Sequence, residues 1–415
     1  MPTHPPLPRR QYIAEQRARA LAALSFSGGT LGPANKRPRQ ILPPSSPRLP
    51  SNPPSSDRSS ERAYIARATD VILGRYQVKA GIGFGTYGTV VRAEDKITGT
   101  AVAIKLLHRD EDLAPHALVE QRMYEKLLAG CNPRVRLFAQ VLGGGMYDGF
   151  HCIVFELCSC TLFDVLQGYS GLVPLPARHI VEIAYQLISG VEYLHSLNIA
   201  HTDIKLDNIA LRQHDTVKLR WLDPSTGFQE QRVLVKAQIC ILDLGTAIEL
   251  QGRGVAHGLI GARGYRAPEV ALGLPWTMNV DNFSIGCVVS ELYLGRSLFD
   301  CEIESEREYL AAIDNLLGPF PEDFARAVER KYPGNFEFDG RVTVNYPAPG
   351  AQAEEEYADA MRRLERVQPL AALVHDHNLM DLIRQLLSLN PTNRSALDVV
   401  VKHKFFDTMT RLTWK

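Results

Sequence analysis

The sequence lacks a disulfide framework, a membrane-spanning run and an excess of charge of either sign. Its seven cysteines, an odd number in 415 residues, fall at irregular spacings (131, 152, 158, 160, 240, 287 and 301). Such usage fits reduced thiols in the cytosol or nucleus. Cys158-Ser-Cys160 is spaced like half of a metal site, but no second pair or histidine cluster accompanies it, and no metal is assigned there. No apolar run approaches the roughly 18 residues that cross a bilayer, and the opening Met-Pro-Thr-His-Pro-Pro holds no hydrophobic stretch for a secretory signal. With 46 basic and 46 acidic residues, there is no global pull toward nucleic acid or an anionic membrane. The expectation is a nuclear or cytoplasmic monomer with no membrane and no direct nucleic-acid partner. Internal repeats are also missing.

What is present is a chain that is 45% hydrophobic and 22% charged, enough for a sizeable core. Its length admits one large two-lobed domain with a tail, or two ordinary domains. Residues 1–62 are rich in Pro, Ser and Arg, with Glu15 and Asp57 the only acids before Glu61; they are expected to be a disordered tail. Within it, 11–24 carries a helical pattern suited to a partner, and Lys36-Arg37-Pro38-Arg39 fits either a nuclear address or a solvated basic tail. The Arg-rich start resembles a transit peptide, which the proline density argues against. From Arg75 the texture changes. Tyr76–Ala80, Thr89–Ala93 and Ala101–Leu107 are strand-like and 116–129 is helical; beyond about 175, helix dominates (176–196, 281–294, 306–317, 354–376, 379–388). A small β-rich part before a larger helical part predicts two lobes with a cleft between them.

Gly83-Phe-Gly85-Thr-Tyr-Gly88-Thr-Val90 lies between two strand-like runs. Glycines let a backbone approach phosphates and present its N–H groups to the anion. A dinucleotide-binding turn would open a helix at the third glycine; here Thr89, Val90 and Val91 continue as a strand. Val102-Ala103-Ile104-Lys105 then ends an apolar strand on one lysine, which aims a cation at nucleotide phosphates from a rigid support. Glu120 is the first candidate for its counter-charge, with Glu125 one turn on as the second.

His201-Thr202-Asp203-Ile204-Lys205-Leu206-Asp207-Asn208 follows a helix ending near His195. Phosphoryl transfer needs a positioned hydroxyl, neutralised charge and metal ions on the phosphates. Asp203 suits the role of proton acceptor, Lys205 can reach the transferred phosphate, and Asn208 can ligate Mg²⁺. Asp243, after the apolar Ile239-Cys-Ile-Leu242 and before Leu244-Gly245, supplies a second oxygen ligand. Farther on, Glu269 of Gly264-Tyr-Arg-Ala-Pro-Glu269 and Arg394 are expected to form a buried ion pair, and Asp281 to accept hydrogen bonds from the catalytic-loop backbone.

These segments, in this order, resemble the eukaryotic protein kinase family over 76–406, with an N-lobe about 76–157 and a C-lobe about 158–406. The resemblance implies an α+β, two-lobed fold: a small β-rich N-lobe with one main helix and a larger helical C-lobe. The match is closest to the LAMMER (CDC-like) branch of the CMGC group, with SR-protein kinases nearby. It is carried by His201-Thr-Asp203 with Thr in place of the usual Arg, Cys152-Ile-Val-Phe-Glu-Leu157, Tyr265-Arg-Ala-Pro-Glu-Val270, Ser284-Ile-Gly-Cys287 and Lys331-Tyr332. An insertion over about 212–237, between the catalytic loop and Asp243-Leu-Gly, is similar to one typical of that branch.

The resemblance implies ATP as phosphate donor with Mg²⁺, and protein substrates phosphorylated on Ser or Thr, with Tyr as a further target; basic Ser/Arg-rich proteins are the implied class. Phe155 would be the gatekeeper, and the Glu156 carbonyl and Cys158 amide would meet the adenine edge. Ile82, Val90, Ala103 and Ala210 would sandwich the base, and Asp164 would lie near the ribose. Three positions depart from the family pattern. The branch signature is reduced to Leu310-Ala-Ala-Ile-Asp-Asn315, Leu244 replaces Phe after Asp243, and Ala262 stands where Thr usually bridges the catalytic Asp and Lys. The first and last support a second reading, a nucleotide-binding scaffold with weak or no catalysis. Thr202 offers no guanidinium to an activation-segment phosphate, and no Ser, Thr or Tyr lies between Thr246 and Tyr265. Activity is therefore expected not to depend on phosphorylation of that segment. Acidic runs at Glu302–Glu308 and Glu354-Glu-Glu356 fit either recruitment of basic peptides or solvated faces.

Overall fold

The computed structural model describes residues 63–85, 87–109, 114–168, 171–223, 227–251, 254–299, 303, 305–346 and 354–407. The expected tail over 1–62, with its helical pattern and basic cluster, lies outside them. The chain divides into two units. The smaller runs to Cys158 and includes Asp243–Gly245; the larger holds Ser159–Leu242 and everything from Thr246.

The smaller unit is an antiparallel six-stranded sheet in the order β1-β2-β3-β4-β6-β5. The strands are β1 (Val71–Ile72), β2 (Tyr76–Phe84), β3 (Gly88–Asp95), β4 (Ala101–Leu107), β5 (Val141–Tyr147) and β6 (Phe150–Glu156). Strand alternation explains its two faces. Val91 and Ala93 of β3 and Val102, Ile104 and Leu106 of β4 are buried in one cluster with Val78 and Phe150, which leaves Val90, Ala103 and Lys105 on the opposite face. Folded chain begins upstream of Tyr76: Tyr64 and Ile72 belong to the same buried cluster, and Thr89 Oγ1 donates to Tyr64 O at 3.0 Å. The one long helix among the described residues of this unit, α1 (Ala114–Ala129), buries Glu120, Met123, Tyr124 and Leu127, a helical spacing that presents one face.

The larger unit is mainly helical. Its longer helices are α2 (Ala177–Ser196), α3 (Asn279–Leu294), α4 (Glu306–Leu317), α5 (Glu322–Lys331), α6 (Glu354–Glu365) and α7 (His377–Leu386). Ser305 Oγ caps α4 by accepting from Glu308 N at 3.1 Å, and Asp376 caps α7 by accepting from Asn378 N and Leu379 N. Short ladders complete the unit. β7 (Ile199–Ala200) pairs with β12 (Ile248–Glu249), and β8 (Ile209–Leu211) with β11 (Ile239–Ile241).

One expectation about elements changes and another gains its form. The pattern over 354–376 is not one helix: α6 stops at Glu365 and a separate short helix spans Leu370–Leu373. Pro369 stands at the break, lacking an N–H and disfavouring helix at the residue before it. The insertion at about 212–237 is a hairpin, β9 (Thr216–Asp223) paired with β10 (Gly227–Leu234) through eight residues on each strand.

Candidate active site

In the smaller unit, β4 delivers Lys105 to two carboxylates. Its Nζ lies 2.9 Å from Glu120 Oε2 on α1 and 2.6 Å from Asp243 Oδ1; Glu125 is not the partner. Burial works against the ammonium charge, but Glu120 and Asp243 outweigh it and hold the Lys105 pKa above the ordinary lysine value. Asp243 adopts a left-handed backbone, φ 59°, which turns its carboxylate back to accept from Gly245 N at 3.0 Å.

In the larger unit, the loop from β7 to β8 gathers the other polar residues. Asp203 Oδ2 accepts from Lys205 Nζ and from Asn208 Nδ2, each at 2.8 Å, and Asn208 Nδ2 also donates to Asp203 O at 2.8 Å. With its amide nitrogen so committed, Asn208 presents its oxygen as the free face of the group, a hard donor of the kind Mg²⁺ takes. Asp243 offers the same chemistry in the smaller unit, so each unit carries an oxygen donor of the type Mg²⁺ takes.

The loop is held from below. Asp281, fully buried on α3, accepts from His201 N and Thr202 N, both at 2.8 Å, and lies 2.9 Å from His195 Nε2. Thr202 has φ 70° and donates its hydroxyl to Thr246 O at 2.8 Å. His195 and Thr246 carry no motif signal, since each is recognisable only from its partner. Glu269 and Arg394 form a two-pronged buried pair, at 2.8 and 2.9 Å.

The remaining named positions are spread over both units. In the smaller, Ile82 is half exposed, Val90 and Ala103 are partly covered, and Phe155 packs on Tyr124 with ring centroids 5.5 Å apart. Glu156 ends β6, donating its amide to Gln140 O and accepting Gln140 N on its side chain, both at 3.0 Å. Cys158 is partly covered. In the larger unit Ala210 is buried in β8. Asp164 closes a capping box, its Oδ2 accepting from Thr161 N at 2.9 Å and Thr161 Oγ1 at 2.8 Å. In the acidic run ending at Glu308, the two glutamates that are described are both engaged by arginines. Glu308 is fully buried against Arg363 and Tyr346, and Glu306 is engaged by Arg263 and Arg266.

The Protein kinase domain family profile matches residues 76–406. The chain belongs to the protein kinase family. Among relatives of this kinase, the serine/threonine-protein kinase AFC3 of Arabidopsis thaliana is 31% identical over 362 residues, 86% of this chain and 88% of that one. The dual specificity protein kinase CLK4 of Homo sapiens is 31% identical over 366 residues, covering 86% and 71%. The crystal structure of a kinase domain superposes with a TM-score of 0.71 at 22% identity, covering 83% of this chain and 98% of the other. The kinase is thus closely related to LAMMER/CLK-type members of the CMGC group, and its units are the β-sheet N-lobe and the larger helical C-lobe of that fold. Use of ATP and Mg²⁺ and action on protein substrates go with the family. No helix among the described residues is long and apolar enough to cross a membrane.

Proposed function

We propose that this kinase transfers the γ-phosphoryl group of ATP to Ser and Thr hydroxyls of proteins, with Tyr as a secondary acceptor, and that basic Ser/Arg-rich segments are its substrates. The observation that carries the catalytic part is the Asp203–Lys205–Asn208 cluster, complemented by Lys105 held between Glu120 and Asp243. Asp203 would orient the attacking hydroxyl and take its proton as the new P–O bond forms and the bond to ADP breaks. Lys205 and Lys105 would place positive charge on the phosphates, Lys105 kept protonated by its two carboxylates. Asn208 and Asp243 would hold Mg²⁺, which neutralises charge on the phosphate oxygens when bound. Ile82, Val90, Ala103 and Ala210 would pack against adenine, with Gly83, Gly85 and Gly88 over the phosphates. Relatives named as serine/threonine and as dual specificity kinases support both acceptor types.

The test uses the full chain with Mg-ATP and an Arg/Ser-rich peptide. The unmutated protein should transfer phosphate, and Asp203→Asn should lower kcat by about 10²–10⁴-fold. Transfer by Asp203→Asn within about tenfold of the parent would refute the assignment. ATP binding with no transfer by the parent would establish the scaffold reading instead.

A further inference from the structure

Between Thr246 and Tyr265 no residue has a hydroxyl to phosphorylate, yet two guanidiniums stand at the end of this stretch. Arg266, with a side chain only 10% exposed, donates from Nε to Ile260 O at 2.9 Å and from Nη2 to Gly261 O at 2.6 Å. Arg263 donates from Nη1 to Ile303 O at 2.6 Å. Both arginines then turn to one oxygen of one carboxylate: Arg263 Nε lies 3.1 Å from Glu306 Oε1, and Arg266 Nη1 bonds the same atom. Glu306 is the first residue of α4, fixed by the Ser305 cap, and Tyr309 on the next turn donates to Arg266 O at 2.9 Å. The carbonyls gripped by Arg266 lead to the catalytic loop. Gly261 has φ 70°, and a Cβ there would sit 2.9 Å from Thr202 O, next to Asp203.

We infer that Glu306 is a built-in counter-anion for Arg263 and Arg266, a carboxylate in the role that a phosphate on the segment plays in switched enzymes. A phosphate orders such a segment by pairing with arginines, and a carboxylate likewise offers guanidinium a negatively charged oxygen acceptor. Here the anion comes from the neighbouring helix, so the brace is permanent. Glu306 is a positioning residue: it acts through Arg266 and Gly261 on the backbone that abuts Thr202. The inference rests on the proposed kinase reading for its effect on rate, though not for the brace itself.

Peptide-transfer kinetics and hydrogen exchange on the full chain test it together. Glu306→Ala should lower kcat/KM for the peptide about tenfold or more, while KM for ATP moves less than about twofold. Acetate at about 100 mM, against chloride at equal ionic strength, should restore activity to Glu306→Ala and do nothing for the parent. Backbone amides of 260–266 should exchange faster in Glu306→Ala and slow again with acetate. Parent-like kcat/KM in Glu306→Ala would overturn the inference, as would full activity in Glu306→Gln or loss without acetate rescue of either readout. A parent that transfers no phosphate, while the exchange pattern holds, would refute the kinase reading and leave the brace standing.

Discussion

At Gly88 an added Cβ would sit 2.4 Å from Leu106 O and 3.1 Å from Leu107 Cα, both backbone atoms of the neighbouring strand. Three residues earlier, at Gly85, it would meet nothing within 4 Å. The same motif thus holds one glycine required by the sheet and one that the protein's own packing does not require. The proposed placement of this loop over the phosphates would account for the second, since a phosphate there must come close to the backbone. Gly88→Ala should destabilise the N-lobe by about 1–3 kcal/mol, as overpacking does. Gly85→Ala should leave stability within about 0.5 kcal/mol yet weaken ATP binding. Urea unfolding and nucleotide titration on both variants separate the two effects, and equal loss of stability at both positions would contradict the distinction.

Between elements, the clearest coupling joins the Ala-Pro-Glu segment to α3. Tyr265 donates its hydroxyl to Glu291 Oε2 at 2.6 Å, and Leu298 N donates to Oε1 at 3.0 Å. No cation faces this carboxylate in those bonds. Burial pushes its pKa from the ordinary 4.5 up to about 7, against the pull of Tyr265 and Leu298, with Asp207 adding repulsion. Between those two values the folded protein keeps a proton that the unfolded chain has already lost. Stability therefore falls as pH rises through that window and levels off above it, by about 3 kcal/mol at most. Glu291→Gln should flatten this slope, so that urea midpoints at pH 5 and pH 8 differ less than in the parent.

Elements of this kind also mark the limit of what the sequence discloses. Strands such as Ala101–Leu107 and helices such as 306–317 were legible because their apolar residues recur at strand and helix spacing and are mostly buried. The β9–β10 hairpin was legible only as an insertion: Val217, Leu219 and Phe228 are exposed, so its strands carry no buried alternation to recognise. The 354–376 pattern has a helical period, but Pro369 overrides it. At the candidate site, Lys105, Asp203, Asn208 and Asp243 stand in recognisable runs. The residues that brace the surrounding backbone, Thr246, Glu291 and Glu306, do not, because each is an ordinary residue, engaged through a carbonyl or a carboxylate by a partner 26 to 44 residues away in the chain.

Across the whole molecule, each unit is closed by an ion pair between distant parts of the chain. In the smaller, Lys105 waits on Asp243, 138 residues later; in the larger, Glu269 waits on Arg394, 125 residues later. Arg394 is fully buried, also donates to Asn279 O and Ser388 O, and stands 5.4 Å from the Phe283 ring. Removing it would strand a buried carboxylate. Arg394→Met should cost about 3–5 kcal/mol in the urea-unfolding free energy, and adding Glu269→Gln should recover part of that loss. A double variant no more stable than the single one would deny the pair its role. The spans also set an order in time. As the ribosome delivers the chain from its N-terminus, Lys105 emerges long before its second carboxylate, and Glu269 is sequestered last, only when residue 394 has cleared the exit. A nascent kinase halted just short of that arginine has already made Glu269, and it carries there a carboxylate whose buried place in the fold has no counter-charge.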